Sequence, residues 1–177
     1  MRVFCYAAQS MSRSAAVVSG VTPLTSPPSF FESFDPKQLG GYDLLFFKLH
    51  GLEGQDRWYG DDRLVAITAD QIRQANLKGS MVFAASCFGL GSPLVTALSD
   101  AGAETVIAGA ELNTAGINRL IGSDVIAYWW RKLLLRGLRT NIAFRLGQIA
   151  AASKRPILAP DIYSFQLLGN KEKRLSR

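Results

Sequence analysis

The sequence has one histidine, two cysteines and no apolar run long enough to cross a membrane. Its longest apolar runs, 43–49 and 81–86, have the length of strands and fall far short of the roughly 20 residues of a transmembrane helix. Cys5 and Cys87 are far apart and neither belongs to a CxxC pair, so the pattern of a disulfide framework or a zinc site is missing. The sequence therefore predicts a protein with no membrane span, no membrane partner and no metal.

Targeting and cofactor motifs are also absent. The first six residues contain too short an apolar region, and no small-residue cleavage pattern, for a secretory signal. We therefore expect a cytoplasmic protein whose two thiols stay reduced. Gly89-Leu90-Gly91 is only a fragment of a GxGxxG dinucleotide motif, and no acidic residue follows at the expected separation, so no cofactor is predicted.

The net charge of +6 raises the question of a nucleic-acid ligand. Four basic residues and one acidic residue lie in the last seven positions, so this segment alone contributes +3 of the +6. The remaining Lys and Arg residues are dispersed, and no Gly-rich or aromatic RNA-binding signature is present. We interpret the segment 171–177 as a solvated, frayed basic tail and predict no nucleic-acid partner.

The order of elements along the chain is typical of an α/β fold. Apolar strands alternate with helical segments from the middle of the chain onward, as a parallel sheet with helices on both faces requires. The predicted strands are 2–8, 43–49, 80–86, 104–110 and 163–168, with a hairpin of 57–59 against 64–67, and the predicted helices are 69–77, 93–101, 117–136 and 140–153. We expect one domain, 1–170, with a mostly parallel central sheet in a three-layer sandwich.

The segment 10–40 is rich in Ser, Thr and Pro and is predicted to be mostly loop. It has room for a short helix or an edge strand around residues 15–18. The predicted domain is thus irregular between its first strand and the strand that follows.

Two chemically versatile residues follow successive buried strands. His50, the only histidine, comes directly after the strand 43–49, and Cys87 comes directly after the strand 80–86. Functional side chains gather beyond the carboxyl ends of parallel strands, so both are expected at one edge of the sheet. If the strands are neighbours, the imidazole and the thiol flank a single substrate bond.

This pair has the chemistry of a cysteine nucleophile and its general acid/base. Gly51 and Gly89 allow the backbone to approach a substrate, and the amides of Gly51 and Cys87 are candidate oxyanion donors. The plainer alternative is that Cys87 is an inert core thiol and His50 an ordinary surface residue. Their joint placement at successive strand ends favours function.

The same residues resemble a known family. Residues 44–51, an apolar block followed by His50-Gly51, and residues 81–89, an apolar block followed by Cys87, resemble caspase-like cysteine peptidases, especially the CHAT and gingipain branch. The resemblance extends over about residues 43–170. It implies a caspase-like sheet, with His50 as the general acid/base, Cys87 as the nucleophile and Gly51 as an oxyanion donor. The short segment 9–42 and the closing Gly-Asn-Lys, in place of Gly-Asp-Pro, depart from the branch.

A peptidase of this type needs a pocket for the residue before the cleaved bond. Acidic candidates are Glu53, Asp56, Asp61 and Asp62 after His50, and Glu111 at the end of a later strand. We favour Asp56 and Glu111, which predicts a preference for Lys or Arg.

Two other functions stay open. One is a caspase-like adaptor or protein-binding module with a silent dyad, and the other is an amidase or acyl transferase that acts on a small substrate. The expected partners are a peptide or protein substrate and, beyond it, a partner protein or a second copy of the chain. Trp129 and Trp130 are interpreted as core residues, of which one faces outward.

Overall fold

A six-stranded sheet forms the centre of the fold. The structure is a computed structural model that describes residues 1–175. The strands are β1 (Val3–Ala8), β2 (Leu24–Ser26), β3 (Leu44–Lys48), β4 (Arg57–Tyr59), β5 (Val65–Thr68), β6 (Met81–Ala84), β7 (Thr105–Gly109) and β8 (Phe165–Gly169). The order of strands in the central sheet is β2-β1-β3-β6-β7-β8. β4 and β5 form a separate antiparallel hairpin, as the sequence predicts.

Five strands of the central sheet run parallel, and only β8 runs antiparallel to its neighbour β7. Every residue of β3, β6 and β7 is buried. Strands that are covered on both faces have nearly continuous apolar sequences, which is why the pattern located these three strands to within about two residues. The mostly parallel sheet is confirmed.

Helices cover both faces of the sheet. They are α1 (Ser12–Ser19), α2 (Ala69–Arg73), α3 (Pro93–Asp100), α4 (Ser123–Leu134), α5 (Thr140–Lys154) and α6 (Ala159–Ser164). One apolar cluster joins α2 and α3 to the first face of the sheet, and a second joins α1, α4, α5 and α6 to the other face. The predicted three-layer α/β sandwich is thus confirmed. None of the helices in the described part of the chain is long and apolar enough to cross a membrane.

The segment 10–40 has more regular structure than its composition suggests. It contains the eight-residue helix α1, which ends at Gly20, and the edge strand β2, which pairs in parallel with β1. The sequence predicted at most one of these two elements. The four apolar residues of α1 are consecutive, and β2 has only three residues in all, so neither shows a clear period; contacts with the sheet stabilise both.

The charged tail is docked on the protein as far as the structure describes it. The carbonyl groups of Lys171 and Lys173 accept hydrogen bonds from the first two amides of α5, at 3.1 and 2.9 Å. These amides have no acceptor within their own helix, and the tail therefore caps α5. The expectation of a frayed tail is corrected for 171–175, whereas residues 176–177 of the predicted tail lie outside the described residues.

A fully buried ion pair connects the sheet to the helical layer. Lys48, the last residue of β3, lies 2.5 Å from Asp124 in the first turn of α4, and both side chains have zero exposure. The Lys48 ammonium also donates to the Ser14 hydroxyl of α1 and to the Gly116 carbonyl, at 2.6 and 2.7 Å. The Gly116 amide donates to the same carboxylate at 2.6 Å. The network thus connects β3, α1, α4 and the loop that precedes α4.

Removal of one partner of this pair will destabilise the fold strongly, because the other charge would stay buried without compensation. We expect Lys48→Met to lower the free energy of unfolding by about 3–5 kcal/mol. Urea denaturation followed by circular dichroism will measure the change. The double variant Lys48→Met/Asp124→Leu should recover most of the loss, since it buries neither charge.

An exposed ion pair provides the control. Arg73 pairs with Asp70 at 2.7 Å, and its side chain is 42% exposed. Arg73→Met is expected to cost less than about 1 kcal/mol, because water and salt screen the surface pair. If the loss is equal in the Lys48 and Arg73 variants, the buried network is not the stronger contributor.

Candidate active site

The carboxyl ends of β3 and β6 bring His50 and Cys87 to one edge of the sheet. The two strands are hydrogen-bonded neighbours, with Phe47 paired to Ala84 near their ends. Both candidate residues line one open cleft of about 410 Å³. The complete lining is His50, Gly51, Leu52, Tyr59, Gly60, Asp61, Asp62, Arg63, Cys87 and Leu112.

Gly51 lies directly against the backbone of Cys87. A Cβ atom at position 51 would overlap the Cys87 carbonyl oxygen and come within 3.3 Å of its amide nitrogen. Only glycine lets the loop after β3 approach the loop after β6 this closely. The backbones that carry His50 and Cys87 are thus packed together in the region where the predicted chemistry takes place.

Two backbone amides at this contact have no acceptor. Among residues 1–175, neither the Gly51 amide nor the Cys87 amide donates a hydrogen bond to a protein atom. The next amide along the chain, that of Phe88, does have an acceptor in the Glu111 carbonyl, at 2.9 Å. Two free donors beside a thiol are able to bind the oxygen of a tetrahedral intermediate.

The Cys87 thiol is half-buried and contacts the loop after β7. Its Sγ accepts a hydrogen bond from the Asn113 amide at 3.4 Å and lies 3.8 Å from the Asn113 carbonyl. The Asn113 side chain accepts a hydrogen bond from Ser123 at the start of α4, at 3.1 Å. The other cysteine, Cys5, is buried in the sheet, and burial raises the pKa of its thiol to about 12.

The β4–β5 hairpin holds His50 in place. The His50 and Tyr59 backbones exchange two hydrogen bonds, at 2.8 and 2.9 Å, so the hairpin pairs antiparallel with the chain just beyond the end of β3. The imidazole is 53% exposed, and its Nε2 lies 3.7 Å from a carboxylate oxygen of Asp61, just beyond the hairpin strand β4.

Asp61 is itself fixed by Ser10, which follows β1. The Ser10 amide and hydroxyl each donate to its carboxylate at 2.7 Å. Partial burial alone would raise the pKa of Asp61, but these hydrogen bonds and the nearby imidazole hold the pKa below its ordinary value. Asp61 is therefore an ionised neighbour of His50 at neutral pH.

The two carboxylates favoured for the specificity pocket lie outside the lining of the cleft. Asp56 is bonded to its neighbour Arg57 at 2.7 Å, and both side chains point into solvent. Glu111 is exposed, and it contacts the site through its backbone carbonyl, which accepts the hydrogen bond from the Phe88 amide. The carboxylates that do line the cleft are Asp61 and Asp62.

Two of these contacts are not evident from the sequence. The sequence pattern indicates Asp61 only as a pocket candidate, whereas the structure brings it to His50 and Ser10. The predicted hairpin is the sequence feature that indicates the position of Asp61, because its turn folds back beside the histidine. No sequence pattern indicated that Asn113 contacts Cys87.

The sheet order and the single antiparallel edge strand agree with a caspase-like α/β fold. No family model and no curated protein sequence matches the chain. The comparison with solved structures finds the Arg-specific cysteine proteinase gingipain R, with a TM-score of 0.69 and 12% identity over 98% of this chain.

Two further structures are similar. The complex of the pro- and mature domains of a Porphyromonas gingivalis gingipain aligns with a TM-score of 0.69 and 13% identity, and a structure described as a protease aligns with a TM-score of 0.60 and 13% identity. Both alignments cover 97% of this chain. In all three cases the chain spans 47% of the similar protein. At these identities the likeness establishes the fold.

Alkylation will distinguish the two thiols. We expect iodoacetamide to modify Cys87 at least about 10-fold faster than Cys5 in the folded protein, because Cys5 is 2% exposed and its raised pKa keeps it protonated. Mass spectrometry of the peptides after a time course measures both rates. The variants Cys5→Ala and Cys87→Ala assign the signals, and equal rates would contradict an accessible, reactive Cys87.

The close approach at Gly51 has a measurable consequence. Gly51→Ala should destabilise the fold by about 1–3 kcal/mol and change the rate of Cys87 alkylation, because the new Cβ displaces the Cys87 backbone. Gly40→Ala is the matched control, since a Cβ there meets its neighbours at 3.4 and 3.5 Å, which is ordinary contact. Denaturation and alkylation are measured on both variants.

Proposed function

We propose that this chain is a cysteine endopeptidase that cleaves peptide bonds through an acyl-enzyme on Cys87. The observation that carries the proposal is the cleft in which His50, the Cys87 thiol and two free backbone amides meet. A nucleophile, a general acid/base and an oxyanion site are the three components that acyl transfer requires.

In the proposed reaction, the Cys87 sulfur attacks the carbonyl carbon of the scissile bond, and His50 takes up the thiol proton. The oxygen of the tetrahedral intermediate accepts hydrogen bonds from the Gly51 and Cys87 amides. The carbon–nitrogen bond then breaks, and His50 delivers the proton to the leaving amine. A water molecule, deprotonated by His50, attacks the thioester, which releases the acid and regenerates the thiol.

We further propose that the residue before the cleaved bond is Arg or Lys. Asp62 lines the cleft, and among residues 1–175 it has no ion-pair partner. A carboxylate binds a guanidinium with two parallel hydrogen bonds. The similar gingipain R is Arg-specific. Asp56 and Glu111 stay untested predictions for this pocket.

The walls of the cleft suit an extended peptide. Leu52 and Leu112 line it, with exposures of 51% and 69%. Apolar side chains at the rim of a cleft bury part of their surface when a peptide binds. We propose a peptide or protein substrate for this reason, and not a small amide.

The chain spans 47% of the structures it resembles, so a second polypeptide is part of the proposal. One similar structure is a complex of pro- and mature domains. We propose that a partner protein, a further domain or a second copy of the chain completes the substrate cleft. Assignment to the CHAT and gingipain branch and a cytoplasmic location rest on the sequence alone and stay predictions.

Peptide cleavage tests the proposal. We expect the protein to hydrolyse fluorogenic peptides that end in Arg or Lys faster than those that end in Asp or Asn. Cys87→Ala and His50→Ala should each reduce kcat/KM by at least about 10³-fold, since the residues of a dyad act as a unit. A covalent adduct on Cys87 in mass spectra of the intact protein should accompany turnover.

Cys5→Ala is the control for this experiment, because Cys5 lies in the core and away from the cleft. It should retain wild-type kcat/KM. If Cys87 is alkylated rapidly but no peptide is cleaved, the endopeptidase proposal fails in favour of an amidase or acyl transferase. If Cys87 is inert as well, the protein is a silent adaptor.

A further inference from the structure

The His50 imidazole has one candidate side chain to orient it. Within residues 1–175, no hydrogen bond to the ring is present, and the nearest charged partner is Asp61, 3.7 Å from Nε2. A ring that is 53% exposed and otherwise unrestrained samples several rotamers and both neutral tautomers. A general acid/base works only if the correct nitrogen carries the proton.

Asp61 is suited to this role because its own position is fixed. Two hydrogen bonds of 2.7 Å from Ser10 tie its carboxylate to the end of β1. β1 is the neighbour of β3, the strand that leads to His50. The Asp61 carboxylate is therefore fixed relative to the same sheet that positions the histidine, although Asp61 itself belongs to the hairpin loop.

The neighbouring Asp62 provides a contrast. It lines the same cleft, but its side chain is exposed and forms no hydrogen bond or ion pair with Ser10 or His50. Its backbone is in the left-handed region, with φ of 56°, which directs the two consecutive carboxylates differently. The two residues carry the same charge in the same cleft and differ in what they contact.

From this geometry we propose that Asp61, anchored by Ser10, is a positioning residue that holds the neutral His50 imidazole in the Nε2–H tautomer. The inference rests on the proposed function, for which Nδ1 is then the nitrogen that takes the Cys87 proton and delivers it to the leaving amine. The distance of 3.7 Å shortens by a small rotation of the ring when the cleft is occupied, as contacts in unliganded sites often do.

The single histidine makes the proposal directly measurable. In protein labelled with ¹⁵N-histidine, every imidazole signal belongs to His50. A long-range ¹H–¹⁵N spectrum in mildly alkaline buffer should show one dominant tautomer, protonated at Nε2. In Asp61→Asn, the carboxamide can donate to Nε2 and stabilise the opposite tautomer, so we expect a mixture or a reversal.

Two variants control the spectrum. Asp62→Asn removes the same charge one residue away and should keep the wild-type tautomer, and asparagine tolerates the left-handed backbone at that position. Ser10→Ala removes one of the two bonds to Asp61 and should give an intermediate mixture. If Asp61→Asn leaves the tautomer populations as in the wild type, or if Asp62→Asn shifts them equally, the positioning role is overturned.

Kinetic measurements provide a second test of the positioning role. For Asp61→Asn we expect kcat on an Arg peptide to fall about 10- to 100-fold while KM changes less than about threefold, because the residue acts through His50. A rise in KM with unchanged kcat would assign Asp61 to substrate binding instead and overturn the proposal. The spectrum does not require turnover: if the protein cleaves no peptide but Asp61 fixes the tautomer, only the proposed function fails.

Circular dichroism and thermal unfolding of each variant identify those that fail to fold. Asp61→Asn is isosteric. Its amide oxygen can accept the hydrogen bond from the Ser10 backbone amide in place of Oδ2, while its amide nitrogen, in place of Oδ1 beside Nε2, can donate to the Ser10 hydroxyl oxygen. A folded Asp61→Asn protein with an altered tautomer supports positioning. A folded protein with a wild-type tautomer and wild-type kcat contradicts it.

Discussion

The buried contact between Lys48 and Asp124 is the constraint on which the rest of the molecule depends. A lysine at the end of a core strand requires an opposite charge and further hydrogen-bond acceptors, because an isolated buried ammonium is very unfavourable. Asp124, Ser14 and the Gly116 carbonyl supply them. The position of α1, the start of α4 and the course of the loop between β7 and α4 all follow from this single requirement.

The same network lies beneath the candidate active site. Lys48 is two residues before His50 in the sequence. The loop after β7 contains both Gly116, which is hydrogen-bonded to Lys48, and Asn113, which contacts Cys87. The buried pair of Lys48 and Asp124 thus supports both the end of β3, which leads to His50, and the loop that contacts Cys87. The exposed side of the site is held differently, by the hairpin that pairs with His50 and by the bonds between Ser10 and Asp61. The arrangement places the two candidate catalytic side chains on strongly supported backbone while the cleft itself stays open.

Much of this organisation was predictable. The strands β3, β6 and β7 are covered on both faces, and such strands have nearly continuous apolar sequences that are read directly from the chain. His50 and Cys87 follow two of them, so their position at one edge of the sheet was a consequence of parallel topology. The capping box between Thr68 and Gln71 at the start of α2 is equally local, because its two partners lie three positions apart. Predictions were incomplete or wrong where stabilisation comes from distant contacts: in β2, which accompanies the expected short helix α1, in the docked tail, and in the start of α4 at Ser123 instead of residue 117.

The sequence by itself determined the fold class, the strand ends that carry the histidine and the cysteine, and the glycine that lets their loops approach. These features depend on local composition and on periodicity, which a single chain displays. Only the tertiary structure decided which carboxylate lies beside His50, which amides stay free and what contacts the Cys87 sulfur. Asp61 meets Ser10 across 51 positions of the chain, and Asn113 meets Cys87 across 26. Contacts between loops depend on how the elements pack together, and no local sequence pattern predicts that packing.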